Sequence, residues 1–295
     1  SKLLTQRNRH VERALCMSRF GTEVSRLEQD SATFTLEIFE SLLPQATIEE
    51  VLVQSGRASK RRRALPADFV VRVLLAASLW RSVSLENVLH KLSSHFLKPL
   101  AWMKRCTPPC SAALTRARAR LGSGVLRRLF RLMVERWWRT ASPTLLWRGM
   151  PLVSLDGTTL RMQDTPSNRR HFGTHPCRRA AATAYPFARV LVAACLASHV
   201  VLEFVVGRAH ASEGRMARAL LGKLPQNSLL LLDRGFLNYA LLLDAMTLGH
   251  AFVVRAKRRL RYRCVRRLGP DDHIVRIKLP VALRRARPDL PASFE

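Results

Sequence analysis

The chain has 295 residues, 47% of them hydrophobic, enough for a sizeable core in one large domain or two ordinary ones. That composition excludes a disordered tail protein, and 13 Gly with 15 Pro exclude low-complexity or collagen-like sequence. Fifty Lys and Arg against 21 Asp and Glu give a formal net charge of +29, a balance that asks for a polyanionic partner, nucleic acid first.

Arg supplies most of that charge, and its planar fork suits phosphate and guanine edges, although codon bias gives the same excess. The opening SKLLTQRNRH holds no apolar signal-peptide core. Residues 33–43 place Phe34, Ile38 and Leu42 at near-helical spacing before Pro44. A short helix is expected over 47–55, with Thr47 as cap and Glu50 closing a capping box. Then comes the basic run Arg57, Lys60, Arg61, Arg62, Arg63. A solvated linker face and a phosphate-contacting strip explain it equally well.

Pro66 opens the next helix, with Val70, Val71, Leu74, Leu75 and Leu79 as its expected buried face. In SVSLENVLHKLS, Ser84 precedes an apolar row at Leu85, Val88, Leu89 and Leu92. CTPPC at 106–110 reads as a rigid turn, Ser111 as a cap, and Gly122 as the stop after Leu121. That helix carries Arg116, Arg118 and Arg120; its successor carries Arg127, Arg128, Arg131, Arg136 and Arg139. Short helices, tight turns and Arg resemble a helix-turn-helix DNA-binding region, here residues 1–145, although Arg-rich amphipathic helices are often plain surface. Trp137, Trp138 and Trp147 are able to stack on bases, but beside Leu132, Met133 and Leu146 they read as core.

After Pro143 the apolar runs shorten and become rich in β formers. Strands are expected at 151–156, 189–198, 200–207, 228–233 and 250–256, with helices at 212–223 and 236–248. That order gives an α/β sheet with mixed pairing over 146–256. Beyond 257 two basic strands flank the turn Gly269-Pro270-Asp271-Asp272. The longest apolar stretch, 187–206, contains Arg189, His199 and Glu203 and so does not read as a membrane span. Six scattered Cys without a secretion signal point to a reduced, cytoplasmic chain. Cys106 with Cys110, and His171 with His175 and Cys177, lack a regular zinc spacing.

Two acids end strands: Asp156 in LVSLDGTTLRM and Asp233 in SLLLLDRGFL. Carboxylates at the C-terminal ends of neighbouring parallel strands sit where α/β sheets bind ligands. Two side by side repel unless a divalent cation joins them, and Mg²⁺ accepts such a pair with water and phosphate as further ligands. The bland alternative is turn or helix capping, above all for Asp233. Thr158, Thr159, Arg161, Arg234 and Asn238 flank the pair and are either phosphate contacts or ordinary strand and turn residues.

The blocks DGTTLRMQDTPSNRRHFG (156–173), LLDRGFL (231–237) and FVVRAK (252–257) resemble insertion-sequence transposases of the DDE type, in the branch with a Tyr-Arg-Glu-Lys signature. IFESLLPQATIEEVL (38–52), RALPADFVVRVLLAASLWRS (63–82) and SAALTRARARLG (111–122) extend the resemblance over residues 30–280. It implies a helical N-terminal DNA-binding region and a ribonuclease-H-like α/β core, with the start of a β-rich insertion at 257–295. It implies Asp156 and Asp233 as the first two catalytic, metal-binding acids, Mg²⁺ as the ion with Mn²⁺ as substitute, and a nucleoid-associated location. The partners implied are double-stranded transposon ends and target DNA, and a homodimer on those ends is left open. Arg57, Lys60, Arg61, Arg62, Arg63, Arg116, Arg118 and Arg120 are the expected DNA contacts. The family's third acid, a Glu, has no match to its signature here. Asp271, Asp272 and Asp289 lie in turns and Glu295 is the last residue, so the chain is expected to stop before that acid, to bind DNA and not to cut it. The function the resemblance implies for the family is metal-dependent cleavage of transposon-end DNA, which frees a 3′-OH, and strand transfer to target DNA; the rival readings are a catalytically incomplete transposase that only binds DNA, and a general nucleic-acid-binding protein with a structural Asp pair.

Overall fold

Prolines set the first helix boundaries. The computed structural model describes residues 43–61, 64–80, 82–93, 109–140, 145–174, 185–258 and 260–294. Helix α1 (Gln45–Gln54) follows directly on Pro44, which makes no side-chain cap. The capping box expected at Thr47 and Glu50 does not form. Thr47 is buried inside the helix, and Glu50 accepts a hydrogen bond from Gln54 Nε2 at 2.9 Å. The preset φ of Pro44 starts the helix two residues early and displaces the polar signal. Apart from Leu43, the helix expected over 33–43 lies outside the described residues, as do Arg62, Arg63, Cys106, His175 and Cys177.

Helix α2 (Ala67–Leu79) follows Pro66 as expected, but its buried face differs. Val70 and Val71 join a cluster with Ile48, Val51, Ala117, Leu121, Val125 and Leu129. Phe69, Val73 and Ala76 join a second with Val88, Leu89, Leu92 and Leu114. The helix lies between two clusters, so it buries two stripes, and Leu79 is left 47% exposed. Each fully buried Val or Phe is worth about 1.5–3 kcal/mol, so both stripes contribute. Helix α3 (Leu85–Ser93) is capped by Ser84, whose Oγ accepts from the Asn87 N–H at 3.2 Å. Helix α4 (Ser111–Leu121) takes Cys110 at its cap position, so Ser111 is its first residue and not its cap. Gly122, at φ 72°, ends α4, and α5 (Ser123–Thr140) begins at the next residue.

The chain divides into two compact units, residues 1–133 and 134–295. The described part of the first is helical. The second holds a mixed sheet of β1 (Leu146–Trp147), β2 (Met150–Arg161), β3 (Phe187–Cys195), β4 (Val201–Arg208), β5 (Leu229–Leu232) and β6 (Ala251–Val254). The order is β4-β3-β2-β5-β6, with β1 on β2. Strands β2, β3 and β4 pair antiparallel, and β5 and β6 extend β2 in parallel. Parallel pairing needs helical crossovers, supplied by α7 (Glu213–Leu221) and α8 (Tyr239–Thr247). Leu220, Leu221, Leu241 and Leu242 of these helices bury Val153, Leu155, Leu191, Ala193 and Leu230 of the sheet. Trp137 and Trp138 pack against the same cluster, as expected for core residues. Trp147 does not: it is 46% exposed, with the Arg148 guanidinium 5.0 Å from its ring centre. The two-residue strand that holds it faces water on that side.

Helix α6 (Pro166–Phe172) lies between the strands expected at 151–156 and 189–198, where no helix is expected. Two basic strands, β7 (Arg263–Arg267) and β8 (His273–Lys278), and the short β9 (Ser293–Phe294) form a separate three-stranded sheet, with α9 (Val281–Ala286) between β8 and β9 in the chain. No described helix is long and apolar enough to cross a membrane.

Candidate active site

Strand β2 alternates buried Val153 and Leu155 with outward Leu152, Ser154 and Asp156. Its parallel ladder with β5 pairs Leu152 with Leu229, Val153 with Leu230, and Ser154 with Leu231. Asp156 and Asp233 each lie two residues beyond the last pair of that ladder, Asp156 within β2 and Asp233 just after β5. Both are exposed. The period-two pattern puts them on the face opposite the α7–α8 core.

Each carboxylate accepts backbone N–H groups close in sequence. Asp156 Oδ1 accepts the Gly157 N–H at 2.8 Å. Asp233 Oδ1 accepts the N–H groups of Gly235 at 2.9 Å and Phe236 at 3.3 Å, capping the short 3₁₀ turn Arg234–Phe236. Capping of Asp233 is therefore real, and it leaves Oδ2 unengaged. No Lys or Arg among the described residues pairs with either acid, in a chain with fifty of them. Three other acids near the sheet are ion-paired, and buried Glu203 on β4 accepts the Phe204 N–H at 3.0 Å. Asp244 pairs with Arg218 and Arg287, Asp164 with Arg169, and Glu213 with Arg189. The Arg169 hydrogen bond holds the Asp164 carboxyl below its ordinary 3.8.

Among the described residues, no three His, Cys, Asp or Glu gather to hold a metal. Asp271 and Asp272 lie in the β7–β8 turn, and Asp289 pairs with Arg287 at 2.7 Å. Asn238 caps α8 through Oδ1, which accepts from Ala240 N at 3.0 Å. Arg161 stacks on Tyr185 at 3.4 Å from the ring centre. Thr158 and Thr159 are exposed strand residues. Sequence reasoning missed a buttress beneath the first acid. A Cβ on Gly157 would come within 2.9 Å of Glu213 Oε1, and Glu213 binds Arg189 Nη1 at 3.4 Å. The available signal was Glu213 in the first turn of a helix.

In the first unit, Arg57, Lys60, Arg61, Arg116, Arg118 and Arg120 are all exposed. Arg57 also has a structural contact: its Nη1 donates to the Arg120 carbonyl at 2.9 Å, near the C-terminal end of α4.

Residues 33–131 match a family described as insertion element 4 transposase N-terminal, and residues 147–285 match the transposase DDE domain. The chain is 29% identical over 266 residues to "Transposase InsG for insertion sequence element IS4" of Escherichia coli strain K12, covering 88% of this chain and 58% of that protein. It is 29% identical over 211 residues to "Putative transposase InsZ" of the same organism, covering 70% and 66% respectively. The matches thus span less than two thirds of either relative.

Proposed function

Since the chain belongs to the IS4 family of transposases, we propose that it acts on the DNA ends of its own insertion element. The reaction is metal-dependent hydrolysis that frees a 3′-OH, followed by attack of that hydroxyl on a target phosphodiester. One observation carries the reading: Asp156 on β2 and Asp233 just after β5, strands that pair in parallel, each keep an oxygen unengaged and have no basic partner among the described residues. Hard carboxylate oxygens suit Mg²⁺, and Mn²⁺ is an equally good fit to this donor set. A bound divalent cation supplies Lewis acidity for the attacking and leaving oxygens of an in-line displacement. Asp156 and Asp233 would hold it, and the N–H groups of Gly157 and Gly235 fix the orientation of the two carboxylates. The strand order and pairing support a ribonuclease-H-like core over 146–256. We assign residues 1–145 to DNA binding and 257–295 to the start of a β-rich insertion. Arg57, Lys60, Arg61, Arg62, Arg63, Arg116, Arg118 and Arg120 contact the phosphates of double-stranded DNA, at the nucleoid.

A second reading is binding without cleavage, favoured by the lack of a third ligating side chain beside the pair among the described residues. One assay separates them. The purified chain is incubated with duplex carrying the element's ends and Mg²⁺ or Mn²⁺, and nicks are mapped. Metal-dependent nicks at the end junctions that vanish in Asp233→Asn uphold the enzyme. Retention of the ends without nicks upholds the binding reading. Equal retention of unrelated duplex, without nicks, defeats both.

A further inference from the structure

The end of β4 carries a second basic site, apart from the acid pair. A cavity of about 410 Å³ is lined by Arg170, Phe172, Gly173, Arg208, His210 and Arg215 among others. Three elements meet there: the last turns of α6, the end of β4, and the first turn of α7. Hydrogen bonds fix the walls. Ala209 N–H donates to the Phe172 carbonyl at 2.9 Å, and Ala211 N–H to the Arg208 carbonyl at 2.9 Å. Arg189 Nη1 donates to the Ala211 carbonyl at 3.2 Å.

The local charge is uncompensated. Of the nearby carboxylates, Asp164 pairs with Arg169 and Glu213 with Arg189, while Glu203 on β4 is buried and accepts the Phe204 N–H at 3.0 Å. Arg170, Arg208 and Arg215 have no carboxylate partner among the described residues. Three exposed arginines line one cavity and concentrate positive charge there, and a phosphodiester oxygen matches the guanidinium fork.

The ladder places this cavity relative to Asp156. Asp156 pairs with Val192 and Val192 with Phe204; Leu160 pairs with Ala188 and Ala188 with Arg208. Arg208 is thus two strands over and four residues along, about 16 Å from Asp156 in the plane of the sheet. By the same alternation it stands on the face that carries Asp156. That span is less than half of a ~34 Å duplex turn. Resting on the DNA-processing reading above, we propose that Arg170, Arg208 and Arg215 seat one backbone phosphate of a DNA strand whose scissile phosphate lies at Asp156 and Asp233. The arginines are positioning residues: they set where along the strand the acids act.

The test is the salt dependence of duplex binding by the full chain, read by fluorescence anisotropy. The triple variant Arg170→Gln, Arg208→Gln, Arg215→Gln is compared with Arg261→Gln, Arg284→Gln, Arg285→Gln, which removes equal charge from exposed positions elsewhere. Circular dichroism checks folding, and the single variant Arg208→Gln replaces the triple if the latter is misfolded. Seating one phosphate predicts that the pocket variant loses about 0.9 of the slope of log K against log salt beyond the control. Equal losses in pocket and control variants overturn the seat and leave the DNA-processing reading standing. A wild-type slope near zero overturns both.

Discussion

At Gly157 a missing side chain matters because of its neighbour. A Cβ added there meets Glu213 Oε1 at 2.9 Å, the end of a flexible side chain, so Ala displaces a carboxylate without moving backbone. Gly157→Ala is expected to destabilise the chain by about 1 kcal/mol, from crowding and a loosened Arg189 contact, as urea denaturation would read. Asp164 offers a pH-dependent counterpart. Its folded pKa is lowered from 3.8, first by the Arg169 hydrogen bond. A lowered carboxyl pKa gives stability that is present above the unfolded value and lost as pH falls through the folded one, so the contribution fades below about pH 4. NMR titration should find Asp164 below 3.8 in the wild type and restored toward it in Arg169→Gln; an unchanged titration in that variant would refute the pairing.

Among the elements, strand content is more legible in the sequence than turn chemistry. The apolar runs around Leu152, Leu191 and Leu230 identify β2, β3 and β5, because buried sheet residues repeat simply. The extension of β2 from Gly157 to Arg161 escapes such a reading, because its exposed residues carry no alternation and only pairing with Phe187–Leu191 makes them a strand. Helix α6 escapes it too, although Thr165, Pro166 and Gly173 are start and stop signals, because none of its residues is buried. The α2 face differs from expectation because periodicity points to one stripe where two clusters require two. Asp233 is legible as a strand end, but Asp156, expected at one, lies inside β2, five residues before its last residue, because pairing with β3 prolongs the strand. Asn238 belongs to this scale too. It sits near Asp233 in sequence yet caps α8, so Asn238→Ala should cost about 1 kcal/mol in denaturant unfolding and leave the DNA salt slope unchanged. A fall in that slope would instead make it a phosphate contact.

For the whole molecule, charge is the dominant feature. A net +29 with the acids near the sheet largely paired leaves Asp156 and Asp233 as a local negative site on a positive protein. Such a distribution attracts DNA broadly while reserving one place for a cation. Each phosphate neutralised by the Arg57–Arg61 and Arg116–Arg120 surfaces should contribute about −0.9 to the salt slope. Arg116→Gln, Arg118→Gln and Arg120→Gln together should flatten it by up to about three times that amount; an unchanged slope would remove these residues from the interface.

A cation shared by Asp156 and Asp233 is the centre of the proposed chemistry, and thermal melting with and without Mn²⁺ tests it. A ligand at a hundred times its Kd stabilises a fold by about 2.7 kcal/mol, which is readily measured as a rise in Tm. Wild type and Asp164→Asn should show that rise, and Asp156→Asn and Asp233→Asn should each lose most of it. Without metal, either of those two variants should melt slightly higher than wild type, since one repelling charge is gone. Equal Mn²⁺-induced shifts in all four proteins would contradict the shared site.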